Sequence, residues 1–63
     1  MQPHEERVVV EKDELDAKIK KLEAFIGGDV FSSLAEDEQE RLRAQVEAMD
    51  KYSSILGDRI AAF

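Results

Sequence analysis

Five residues near the two ends of this chain have the types that hold an anionic, planar ligand: Arg7, Lys12, Tyr52, Ser53 and Arg59. Guanidinium and ammonium groups pair with phosphate, a tyrosine ring offers a face for stacking, and a serine hydroxyl both donates and accepts hydrogen bonds. Most of the chain separates the first two from the last three. Only a fold that doubles back can bring them together. A plainer reading uses the same residues. Lys12 lays its stem over apolar surface, Ser53 bonds back to its own helix, and Tyr52 packs against another subunit. The residues alone leave both readings open.

Other chemistry is poorly supplied. His4 is the single histidine and stands near a terminus. The acidic run "EDEQE", residues 36–40, has neither the ligand spacing nor the central glycine of a calcium loop. No Ser/His/Asp arrangement is present, and Gly27-Gly28 alone does not make a phosphate-cradling loop. The expectation is therefore a non-enzyme, with no catalytic residue, no metal and no cofactor.

The elements that must position these residues are two helices. In the first, about residues 4–26, Val8, Leu15, Ile19, Leu22 and Ile26 share one face, and Lys12 fills the gap in it. Pro3 suits a first turn, and Glu5 and Glu6 favour the positive end of the helix dipole. Gly27 is expected in the left-handed conformation that ends many helices. Residues 27–35 form a connector in which Asp29 caps a short turn, while Phe31 and Leu34 fold over the end of the hairpin. The second helix, about residues 36–62, carries Leu42, Val46, Met49, Leu56, Ile60 and Phe63 on its stripe, with Ser53 in the matching gap. Ala35 is a poor cap, so Ser33 is an alternative start.

A short connector makes the helices antiparallel. Counting back from it places Lys12 beside Ser53, Val8 beside Leu56 and Leu22 beside Leu42. Arg7, Arg59 and His4 then lie toward the free ends, and the five candidate residues converge at one end of the hairpin. Gly57 weakens a helix by about 1 kcal/mol relative to alanine, which a close approach by another backbone would offset.

Composition adds a partner. At 63 residues with no cysteine, the chain is small for a self-sufficient core. Ala48, Tyr52, Ile55 and Ala62 form a second apolar line beside the main stripe, as do Val9 and Phe25 on the first helix. One hairpin cannot cover both lines. The expected class is all-α: an antiparallel two-helix hairpin assembling into a helical-bundle homo-oligomer, a dimer or tetramer or a larger closed form. A net charge of -6, from 15 acidic and 9 basic residues, argues against duplex nucleic acid as a partner. No apolar run reaches the roughly 18 residues of a membrane span, and no signal-peptide pattern opens the chain, so a cytoplasmic location is expected.

The stretch "RVVVEKDELDAKIKKLEAFI", followed by the pattern F..L...EQERL..Q...M..YS.ILG.RI..F, resembles a family of short phage and prophage proteins of unassigned activity. Some of these are related to a small crAss-like phage protein. The match runs from Arg7 to Phe63 and departs at Ala35, where a capping residue is usual. More distantly, the hairpin is similar in architecture to phage sponge proteins of anti-CBASS and anti-Thoeris type, which sequester cyclic nucleotide immune signals. These resemblances imply a phage or prophage protein acting in the host cytoplasm as a nucleotide-binding sponge, without catalysis. Arg7, Lys12, Tyr52, Ser53 and Arg59 would hold the ligand. The alternative is a small acidic interaction protein that inhibits a host protein by direct binding. A purely structural helical oligomer is a third reading.

Overall fold

The computed structural model describes all 63 residues. Helix α1 spans Pro3–Ile26, a single-turn helix α2 spans Asp29–Ser32, and helix α3 spans Glu36–Ala61. The long helices lie side by side and antiparallel, with α2 folded into the connector. The result is a rod of 46 × 14 × 13 Å with a radius of gyration of 14.5 Å. A compact chain of this length would have a radius near 11 Å. The hairpin is therefore one layer of two helices with no second layer behind it.

Local chemistry explains most boundaries. Pro3 occupies the first position of α1, and the Glu5 carboxylate accepts a hydrogen bond from the Gln2 backbone N–H at 2.7 Å. The valine run Val8-Val9-Val10 stays helical because its flanks are strong helix formers. At the other end of α1, Gly27 is right-handed at φ -78°, and no glycine has positive φ. The left-handed cap expected there is absent because the chain rolls directly into α2 rather than reversing at once. Gly28 is the residue that turns extended, at φ -98°, ψ 173°.

Two expected caps are also corrected. Asp29 is the first residue inside α2, with Gly28 at the cap position. Ser33 does not cap α3, because its hydroxyl donates to the Val30 carbonyl at 2.6 Å. Ala35 stands at the cap with no side-chain acceptor, and the acidic turn Glu36-Asp37-Glu38 meets the helix dipole instead. The Gln39 side chain reaches back and donates to the Leu34 carbonyl at 2.9 Å, tying the connector to α3.

The core is thin. Val8, Ile19, Phe31 and Leu56 are the buried apolar residues, and Leu56 alone is fully enclosed. Leu15, Leu22, Ile26, Leu42, Val46, Met49 and Ile60 are half-buried along the seam. Phe63 is not part of it: α3 ends at Ala61, and the Phe63 ring stands in solvent. Phe31 closes the connector end. Its ring meets Phe25 edge-on at 6.4 Å, and the Arg43 guanidinium lies 4.9 Å from its centre. That stacking gives a lone connector aromatic the burial of a core residue.

Candidate functional site

Both polar interruptions of the apolar stripes meet at one level. The Lys12 ammonium donates to Ser53 Oγ at 3.1 Å and to Asp16 Oδ2 at 2.8 Å. Ser53 in turn donates to Asp16 Oδ1 at 2.5 Å. The three side chains form a closed ring of hydrogen bonds across the helix seam. No buried side-chain nitrogen or oxygen lacks a partner. Charge within the ring is balanced, so Lys12 is already spent on a carboxylate. An anionic ligand would have to compete with the Asp16 carboxylate for its charge.

Gly57 completes this arrangement. A Cβ there would come 3.3 Å from Lys12 Cε. The glycine makes room for a lysine stem, not for a backbone as expected. That stem must lie flat across α3 for the ammonium to reach Ser53 one turn away.

Asp16 was not among the residues singled out from sequence, although its i,i+4 spacing from Lys12 was a readable ion-pair signal. Hydrogen bonds from Lys12 and then from Ser53 hold its carboxyl below the usual 3.8. The link to stability has a definite sign. A depressed folded-state pKa contributes stability that is present above 3.8 and is lost as pH falls through the folded value. Asp16→Asn should therefore flatten the acid limb of a stability profile below about pH 4. Chemical denaturation at intervals from pH 6 to 2 reads this. A limb equally steep in wild type and variant would mean that the ring does not couple to folding.

The other candidate residues do not join the ring. At about 100° of rotation per residue, Tyr52 and Arg59 lie on the flank of α3 away from Gly57, whereas Lys12, Asp16 and Ser53 gather on the Gly57 side. Tyr52 is 44% exposed, against 8% for Ser53. Arg7 and Arg59 are exposed and form no ion pair. Arg7 lines a shallow depression of about 470 Å³ on the outer side of α1, together with Glu6, Glu11 and Glu14. Those carboxylates make its surroundings acidic. Lys12 and Ser53 therefore lie on one flank of the seam, Tyr52 and Arg59 on the other, and Arg7 apart on α1. Helical rotation is the cause: neighbours in sequence, such as Tyr52 and Ser53, point about 100° apart.

Charge on α3 is sorted in the same way. With the core face as reference, Glu36, Glu40, Glu47, Asp50 and Asp58 fall within one sector of about 80°. The sector on the other flank carries Ala44, Ala48, Tyr52, Ile55 and Arg59, with the exposed Asp37–Arg41 pair at its N-terminal end. One exposed flank of α3 is thus acidic, and the other is apolar and aromatic with free guanidinium charge.

A family model described as Sequestin matches residues 2–62. The chain belongs to the Sequestin family. The match spans both long helices, the connector and the candidate residues. Searches of the curated proteins and of the solved structures return no match to set beside the Sequestin model. The hairpin is all-helical, and no helix of it is long and apolar enough to cross a membrane.

Proposed function

We propose that this Sequestin-family chain is a non-catalytic binder that sequesters a small anionic signal of the cyclic nucleotide class. In this reading it is a phage or prophage counter-defence protein of the host cytoplasm. The observation that carries the reading is membership of the Sequestin family across residues 2–62, whose name itself speaks of sequestration. The hairpin contributes chemistry of the right kind. Tyr52 presents an exposed ring for stacking, and Arg59 lies about two turns further along the same flank with its guanidinium unpaired. Arg7 stands near the same free end on α1. Lys12 would contribute its third N–H in competition with the Asp16 carboxylate, whereas the Ser53 hydroxyl is engaged within the ring. A flank this flat needs a second surface to enclose a ligand, so the binder is a homo-oligomer with its ligand between subunits.

Native mass spectrometry of the protein, alone and with a panel of cyclic nucleotides, tests this. The expected result is a stoichiometric adduct on an intact oligomer. Tyr52→Ala and Arg59→Ala should each weaken it at least about tenfold, as loss of a stacking face or a charge-assisted pair does. Helicity should not change, and each comparison is made at protein concentrations where the variant keeps the wild-type subunit count. No adduct with any nucleotide would overturn the sponge and favour the second reading, a direct inhibitor of a host protein. The five-carboxylate flank of α3 is the specific feature that would serve that role.

A further inference from the structure

The apolar flank of α3 has a symmetry that points to its occupant. Asp37, Ala44, Ala48, Tyr52, Ile55 and Arg59 lie within about 80° of one another around the helix axis, and all are exposed. Ala48 is midway between Asp37 and Arg59, and midway between Ala44 and Tyr52. We propose that two copies of the chain pair through this flank, α3 against α3 and antiparallel, with the two-fold axis at Ala48. In that register each Arg59 faces an Asp37 of the second copy, and each Tyr52 ring stands opposite the other copy's Ala44, whose small side chain leaves room beside the ring. The Arg41 stem crosses Ile55. Ala48 meets its own copy, where the small side chain lets the helices approach closely.

Three observations support this occupant over another. First, the charges are self-complementary: Arg59 meets Asp37 at both ends under one two-fold operation, as an isologous interface requires, and Arg41 of the same helix holds that Asp37 only by a long, exposed contact of 3.5 Å. A parallel pairing would instead set Arg59 against Arg59. Second, the carboxylates that give the chain its net charge of -6 are absent from this flank apart from Asp37, so self-repulsion is least here. Third, the contact from residue 37 to residue 59 runs for about 33 Å of helix, nearly the whole length of α3. The pair would also cover Ile55 and part of Tyr52, which one hairpin leaves 48% and 44% exposed.

The inference deepens the subunit-interface part of the proposed function but needs no ligand. Arg59 has five N–H donors, so a pairing with Asp37 still leaves donors for a ligand anion at either end of the contact.

The chain has no cysteine, so single cysteines can be introduced cleanly. Under mild oxidation, Ala48→Cys should give a disulfide-linked dimer at least about tenfold faster than Tyr52→Cys or Glu47→Cys, because only residue 48 meets itself. In sedimentation velocity without nucleotide, the wild type should be a dimer or a multiple of one. Arg59→Asp should weaken that dimer, and adding Asp37→Arg should restore it. Circular dichroism checks that each variant remains helical. A wild-type monomer, or equal cross-linking rates at all three positions, would overturn the proposal. A monomer that still takes up nucleotide would sink this interface and leave ligand binding standing. A dimer of the predicted register without an adduct would do the reverse.

Discussion

Leu56→Ala should cost about 2–5 kcal/mol, the range for truncating an enclosed leucine when the surroundings close only partly over the gap. Leu56 is the one side chain in the hairpin with no exposed surface. It is set in α3 one turn after Ser53, directly beyond the Lys12–Asp16–Ser53 ring. A chain of this length has a total stability of roughly 3–9 kcal/mol, so the loss approaches the whole of it. Urea denaturation followed by circular dichroism at 222 nm, at fixed protein concentration, measures the effect. The midpoint should fall steeply or the folded baseline should vanish at room temperature. Leu56→Met, which keeps the volume, should cost less than about 1.5 kcal/mol. If both substitutions were equally mild, the seam at that level would carry little of the stability, and the second copy would have to carry more.

Phe31→Ala should cost about 3 kcal/mol, the low end for a buried phenylalanine, because Phe31 closes the end of the rod rather than its middle. Its ring is 3% exposed, edge-on to Phe25 and beneath Arg43. Without it, α2 has only four residues and its backbone bonds to remain helical. The connector should then loosen locally. Amide hydrogen exchange at residues 27–35 should accelerate more than exchange in the middle of α1 or α3. Phe31→Leu should recover most of the loss, and Arg43→Ala should cost about 0.5–1 kcal/mol, the worth of an exposed cation–π contact. Uniform acceleration across all three helices would mean instead that Phe31 belongs to the global folding unit.

The ring at Lys12 bears on how function and fold share the same residues. Filling a stripe gap with lysine opposite serine gives up apolar burial at that level. The return is directional: Lys12 can satisfy Asp16 and Ser53 only in one register, because a shift of one residue would swing Ser53 about 100° away. In a thin hairpin with four buried apolar residues, such a polar lock specifies alignment where packing specifies it weakly. This accounts for Lys12, Ser53 and Gly57 without a ligand. Tyr52 and Arg59 are then left as the residues whose exposure calls for a partner.

Sequence alone determined the helices, their approximate ends and their antiparallel pairing. Those features follow from local propensity, from the 3.6-residue period of Val8, Leu15, Ile19 and Leu22, and from a connector too short to permit anything else. It also placed Lys12 level with Ser53, since counting along two rigid rods from a common loop loses little accuracy. The tertiary structure alone decided what those residues face. Counting residues gives height along a helix, but the flank on which a side chain emerges depends on how both helices are rotated about their axes, and that is set by the packing of the whole seam. For this reason Asp16 entered the ring, Gly57 proved to be a seat for a lysine stem, and Tyr52 separated from its neighbour Ser53. The apolar line of Ala48, Tyr52 and Ile55 was legible in the sequence, but the flank of the seam that it occupies was not.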